Sequence, residues 1–300
     1  MEILLRRLLS YNDVALDRLE AWWNATRDVR EQQPTTADRA LIGGVLADRL
    51  GFAFASGYQE ALRALVKHDG IATLCVTEAR GNSPKDIDTT LAPSGAGFIV
   101  TGNKKWATAA PLASSLLVCA KTGVDAQGRN MLRMVRVPTS APGVTLTPNA
   151  APFVPEIPHA EVTLDNVAVP ADAVLPGDGY TDYVKPFRTI EDAHVQAALV
   201  GYLIGVARRN QFARELIEQL VASALVVRAI ALADATSAAV HVALAGAFNQ
   251  VTQLVAEIER AWGAAGGDEW TRWQRDRPLL RVASAARAAR RESAWAAIRP

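Results

Sequence analysis

The sequence predicts an α+β protein in which a helical head, an all-β middle and a helical tail follow one another along the chain. Three observations predict it. Apolar residues recur at helical spacing up to about residue 67; from 71 to about 178 they fall in short or alternating runs separated by Gly, Pro, Asn and Asp; and beyond Gly177-Asp178-Gly179 the helical period returns. This block order differs from the alternation of a βαβ sheet. No Gly-x-Gly-x-x-Gly follows a strand, and both facts argue against a Rossmann fold. The expected domains are residues 1–70, 71–178 and 179–300.

Within the head, helical spacing spans residues 4 to about 30 and 38 to about 67, as in Leu41, Val45, Leu46, Leu50 and then Ala61, Leu62, Leu65, Val66. In the middle, strands are expected at 71–77, around Phe98 and Val100, at 116–120, at 131–137 and around Val162 and Leu164. Residues 89–101 read as a hairpin that turns at the Pro-Ser-Gly cluster, Pro93-Ser94-Gly95. In the tail, Ile190, Ala193, Ala197, Val200, Ile204 and Ala207 form one apolar stripe, and Gly201 and Gly205 beside it leave room for a second helix to approach closely. Further helices are expected at 217–233, 235–261 and 279–297, with Pro278 at a first-turn position.

Composition narrows the function. Thirty-two Lys and Arg against 31 Asp and Glu leave a net charge of +1, with no global field to recruit nucleic acid or an anionic membrane. Cys75 and Cys119 lie in apolar runs, where a reduced thiol acts as a small core hydrophobe, and a cytoplasmic setting fits. The first residues, Met1-Glu2-Ile3-Leu4-Leu5-Arg6-Arg7, turn to charge too soon for a signal segment, and no apolar stretch approaches the length of a membrane span. No metal ligand set is assigned.

Three runs carry chemistry: Cys75-Val76-Thr77-Glu78; Gly102-Asn103-Lys104-Lys105-Trp106-Ala107-Thr108; and Leu164-Asp165-Asn166-Val167-Ala168-Val169-Pro170. In order and spacing they resemble the middle-domain signatures of the acyl-CoA dehydrogenase-like flavoproteins, and the chain reads as a short, divergent member. The resemblance is good over about residues 50 to 210. It implies an FAD whose isoalloxazine lies between the β domain and the helical tail, with Trp106 against the ring, Thr108 near its reactive nitrogen, and Val76 and Thr77 at the pyrimidine end. A planar indole buries a ring face, and hydroxyl and backbone donors stabilise charge that develops on reduction. Each residue also has a plain structural reading, Trp106 as a core tryptophan and the threonines as ordinary strand residues.

The same resemblance implies an α,β-dehydrogenation of an acyl-CoA or other acyl thioester, in which a carboxylate removes the α proton while a hydride leaves the β carbon. Most family members carry that base near the C-terminus; the matching run here, residues 280–286, has no glutamate. A minority resembling the isovaleryl and long-chain enzymes carry it on the first tail helix, ten residues before a glycine. Thr189-Ile190-Glu191-Asp192 with Gly201 places Glu191 there. The competing reading makes Thr189 an N-cap and Glu191 an acidic first-turn residue favoured by the helix dipole. His194 is a weaker candidate, because a lone helical histidine is more often core-satisfied or exposed. Asp192 stands where the family often has arginine.

Three departures accompany the resemblance. After Glu78 the family's glycine-rich turn is replaced by Ala79-Arg80-Gly81-Asn82-Ser83-Pro84-Lys85, where Ser83 and Arg80 are the candidate substrate contacts and Pro84 removes a donor. The tail lacks the Arg-x-x-Phe-Gly run that clamps a neighbouring subunit's cofactor. The usual His-Gly-Gly run gives way to residues 262–270, where Trp262 and Trp270, with Trp273, are expected to cover a shortened core. The implied partners are an electron-transfer acceptor and further subunits, in a homo-dimer or tetramer or in a hetero-oligomer whose second chain supplies the missing contacts. A cofactor-poor, non-catalytic homologue is the alternative.

Overall fold

A computed structural model describes residues 1–298, so the final two residues of the expected tail lie outside it. The chain forms two compact units: one gathers residues 1–64, 152–156 and the tail from Thr189 onward and carries most of the helices, and the other, residues 65–151 and 157–188, holds the sheet.

The helical unit begins with α1 (Glu2–Ser10), α2 (Leu19–Ala25), α3 (Arg27–Glu31), α4 (Thr36–Leu46) and α5 (Leu50–Leu65). The two long helices expected here are therefore each interrupted, the second by bonds from residues distant in sequence. The Leu46 carbonyl accepts from Trp22 Nε1 at 3.1 Å and from the Val14 amide at 2.8 Å, so helical bonding stops there and Ala47 turns extended. Thr35 caps α4 by accepting from the Asp38 amide. Arg30 is buried against the Trp23 ring, 3.6 Å from its centroid, and bonds Thr26 Oγ1 and the Trp23 carbonyl. Burial lowers its pKa to about 10, partly offset by Glu60.

The tail helices are α6 (Lys185–Arg209), counted with this unit from Thr189 onward, α7 (Arg214–Ala231), α8 (Ala238–Ala265), α9 (Gly267–Asp276) and α10 (Ser284–Ile298). Pro278 opens a 3-10 turn, Arg277–Arg281, rather than α10 itself. Glycines let α6 pack against the head: a Cβ on Gly201 would lie 2.1 Å from the Leu41 carbonyl oxygen, and one on Gly44 would lie 2.0 Å from that of Ala198. The close approach expected at Gly201 is thus present. Gly201→Ala is expected to cost roughly 1–3 kcal/mol, because backbone rather than a movable side chain must give way; chemical denaturation measures it, and an unchanged midpoint would refute the contact. Trp262 and Trp273 are fully buried, and Trp273 stacks on Tyr202 at 6.2 Å, which gives these tryptophans the core-covering role expected of them.

The sheet unit holds β1 (Ala72–Cys75), β2 (Thr90–Ser94), β3 (Gly97–Thr108), β4 (Ser115–Val124), β5 (Asn130–Pro138), β6 (Val144–Asn149) and β7 (His159–Pro170). The order is β1-β4-β2-β3-β7-β6, with β5 on β4; β1 and β2 run parallel to β4 and the other pairs are antiparallel. The predicted hairpin is β2–β3, and Ser94 pairs with Gly97, so the turn is Gly95-Ala96 and Pro93 stays in the strand. β6 was not foreseen: it is short, half-exposed and contains Pro148. Cys75, Val100, Ala107, Leu116, Val118, Val135, Val162 and Leu164 are among the residues of the core. Both cysteines are free and buried there; burial pushes Cys75 up to about 12 and Cys119 up to about 11, so neither is a nucleophile.

Candidate functional site

The signature Gly-x-Lys-x-Trp on β3 resolves into three physical roles. Gly102, at φ +155 beside a register shift in the β3–β7 pairing, admits Thr89: a Cβ there would lie 2.5 Å from Thr89 Oγ1. Lys104 is fully buried, and its three ammonium protons are directed at Glu78 Oε1 (2.6 Å), the Cys119 carbonyl (2.7 Å) and the Val76 carbonyl (3.4 Å). Trp106 sits at a second register shift with φ +57 and is 51% exposed.

Glu78 completes this network. Its carboxylate also accepts from the Thr89 amide and hydroxyl and from the Asp88 amide. Burial acts to raise its pKa, but the Lys104 bond and charge and the two amides outweigh it and hold the carboxyl below its ordinary value. The pair ties the end of β1 to β3 and β4 and fixes the segment after Cys75. The Lys105 amide donates to the Thr77 carbonyl at 2.7 Å, which brings Thr77 beside Trp106.

The segment holding Val76 and Thr77 is thus bonded to β3 just before Trp106 and Thr108. Val76 is buried, Thr77 and Thr108 are half-buried, and Ala107 between Trp106 and Thr108 is buried. The plain reading of Trp106 as a core tryptophan fails, since half of it faces solvent on a backbone conformation that non-glycine residues rarely adopt.

The loop carrying Arg80 and Ser83 is closed upon itself. Glu78 and Gly81 exchange backbone bonds, the Ser83 amide donates to Asp86 Oδ2, and the Asp86 amide donates to the Ser83 carbonyl. Arg80 is exposed and pairs with Asp88 at 2.7 Å. Arg188 donates weakly to Asn82 Oδ1 at 3.3 Å.

Glu191 lies on α6 in the helical unit, and the capping reading of its surroundings is corrected by the structure. The chain enters α6 through a π-helical turn, Gly179–Val184, capped by Asp178, which accepts from the Tyr180 and Thr181 amides. Thr189 is thus inside the helix and buried, with its hydroxyl 3.2 Å from His241 Nε2. Glu191 is partly buried, and burial followed by the neighbouring Asp192 charge raises its pKa to about 8, against the opposing pull of Arg287 and Arg290. Those arginines bond Asp192 instead, Arg287 at 3.3 Å and Arg290 more closely, so Asp192 makes new ion pairs with α10. His194 is core-satisfied: Nδ1 faces the Ile190 carbonyl at 2.8 Å, Nε2 faces Thr36 Oγ1 at 2.9 Å, and burial lowers its pKa to about 4. No residue of the 280–286 run supplies a carboxylate.

The Lys104–Glu78 pair escaped the sequence reading of the site. No simple alternation marks it, because the register shift between Val100 and Gly102 interrupts the pattern that would place Lys104 on the inward side.

Known proteins fit this geometry. Residues 73–167 match the model of the acyl-CoA dehydrogenase middle domain. The probable acyl-CoA dehydrogenase YngJ of Bacillus subtilis is 29% identical over 152 residues, which is 50% of this chain and 39% of that protein. The chain thus spans well under two thirds of that relative's length. Among solved structures, the apo form of PigA superposes with TM-score 0.68 at 16% identity, covering 98% of this chain and 95% of that one. Butyryl-CoA dehydrogenase from Megasphaera elsdenii superposes with TM-score 0.67 at 14% identity, covering 88% and 83%. No helix among the described residues is long and apolar enough to cross a membrane. Residues 73–167 are thus similar to the acyl-CoA dehydrogenase middle domain, and the chain shares the helix–sheet–helix fold of these solved structures.

Proposed function

We propose that the protein is an FAD-dependent oxidoreductase that dehydrogenates an acyl-CoA or related acyl thioester between its α and β carbons, with Glu191 as the base. The observation that carries the reading is the match of residues 73–167 to the acyl-CoA dehydrogenase middle domain, beside a partly buried glutamate on α6 in a chain whose 280–286 run has no carboxylate. The sheet unit suits a flavin: Trp106 offers a half-exposed indole, Thr77 and Thr108 are half-buried hydroxyl-bearing residues, and Val76 is buried. Solved relatives with comparable folds include PigA with FAD and proline and a glutaryl-CoA dehydrogenase with FADH2. Bound flavin supplies the two-electron acceptor. Glu191, once ionised, takes the α proton; Trp106 orients the ring; Ser83 and Arg80 are the candidate contacts to the thioester. An electron-transfer protein as final acceptor, a homo-dimer or tetramer, and a cytoplasmic setting belong to the same reading.

A second reading is favoured by the 79–86 loop, whose Gly81, Ser83 and Asp86 amides are spent inside the loop instead of being offered to a ligand. On that reading the chain is a cofactor-poor homologue or one subunit of a hetero-oligomer. Anaerobic mixing of the FAD-loaded protein with a panel of acyl-CoA thioesters separates the two. Bleaching of the flavin by at least one thioester supports the enzyme; retention of colour across the panel supports the second reading.

A further inference from the structure

On α6 two neighbouring carboxylates are treated differently. Asp192 accepts from Arg287 Nη1 at 3.3 Å and from Arg290 Nη2 more closely, and each of the three side chains is at most 20% exposed. Among the described residues, no ion pair or hydrogen bond reaches the Glu191 carboxylate one position earlier. Helix geometry explains the division. Thr189 and Asp192 are three residues apart and share a face, as do Arg287 and Arg290 on α10, whereas Glu191 is turned about 100° away from Asp192.

The arginines are fixed on the Asp192 side. Arg287 also donates to the Leu280 carbonyl at 2.6 Å, and its guanidinium lies 4.6 Å from the Phe248 ring centroid. Arg290 also donates to Thr189 Oγ1 at 3.4 Å; that hydroxyl lies 3.2 Å from His241 Nε2, which faces the Ala235 carbonyl at 2.9 Å. The charged and titratable groups around this turn are thus Asp192 on α6, Arg287 and Arg290 on α10, and His241 on α8, the last among neutral partners. A guanidinium that grips a carboxylate occupies its lone pairs and favours its charged form. Both effects make a poor general base, which needs an open lone pair and a pKa near the working pH. Glu191 escapes that grip: burial and the Asp192 charge raise it to about 8, and the two arginines oppose the rise without bonding it.

We propose that Asp192 is a positioning residue for Glu191: by engaging both guanidinium groups of α10 it keeps them off the Glu191 carboxylate and leaves that carboxylate open to take a proton. This role rests on the reading of Glu191 as the base. In the FAD-loaded chain, Asp192→Asn frees the arginines to turn to Glu191. Flavin reduction by a thioester that bleaches the wild type is then expected to slow about tenfold at saturating substrate, with its rising pH limb moved down by about one unit. Asp192→Glu keeps the charge and is expected to restore the limb. Arg290→Gln removes one opposing cation and is expected to move the limb up. A merely structural role for this pair would lower stability without moving the limb in opposite directions. Thermal melts of the full chain read the same ionisation without substrate: the gain of Glu191→Gln over its parent with rising pH should level off about one unit lower when both carry Asp192→Asn. A limb and a levelling point unmoved by Asp192→Asn or by Arg290→Gln, or an Asp192→Glu variant as slow as Asp192→Asn, overturns the proposal. A moved levelling point together with full turnover in Glu191→Gln supports the shielding by Asp192 and ends only the assignment of Glu191 as base.

Discussion

Lys104→Ala is expected to destabilise the sheet unit by about 3–5 kcal/mol, because it leaves the Glu78 carboxylate buried without its counter-charge. The loss should appear as a lower urea midpoint with little change in slope. Lys104→Met combined with Glu78→Gln removes both charges and should recover much of the stability, a coupling that a double-mutant cycle isolates. The pH dependence follows from the depressed Glu78 pKa. The folded state keeps this carboxyl ionised where the unfolded chain would protonate it, so its contribution is complete above the ordinary value of 4.5 and is lost as pH falls through the lower folded value. Full wild-type stability in Lys104→Ala would mean that the ammonium is not engaged by Glu78.

Glu191→Gln is expected to lower the rate of flavin reduction by acyl thioester by about 10²–10⁴, the usual contribution of a positioned general base, while leaving shape and fold in place. The wild-type rate should climb with pH up to about 8, as the glutamate ionises, and the variant should lose that limb. Stability moves in the opposite sense. With the folded pKa raised above the ordinary 4.5, the protonated native form is favoured below 4.5, and that advantage disappears as pH rises to about 8. Glutamine cannot ionise, so the variant should gain on the wild type across that window, by roughly 2–4 °C in Tm at alkaline pH. A thermal melt series checks this without any substrate. Unchanged turnover in Glu191→Gln excludes it as the base, whatever the melts show.

What the sequence disclosed followed from periodicity and spacing. The change from helical period to alternation marked the sheet, and Gly201 and Gly205 marked a close helical face. Family spacing put Thr77 and the β3 signature in one reading, and a Lys105–Thr77 backbone bond joins the two segments that carry them. Breaks in the head helices were hidden, because Leu46 loses its helical partner to Trp22 and Val14, residues distant in sequence. Thr189 looked like a cap for a similar reason: the true start of α6 lies back at Asp178, and a π-helical turn has no distinctive composition. The Asp192 pairs with Arg287 and Arg290 join α6 to α10 across nearly a hundred residues, beyond the reach of any local pattern. The closure of the 79–86 loop around Asp86 was equally unreadable, since it depends on which amide a short carboxylate finds.

The account turns on whether the sheet unit holds a flavin through Trp106. Titrating the flavin-free chain with FAD and following flavin fluorescence and the visible spectrum tests that directly, with Trp106→Ala alongside. Saturable quenching by the wild type, weakened by about tenfold or more in the variant, is the predicted result. A wild-type chain that takes up no FAD, or a variant that binds it just as tightly, would contradict it.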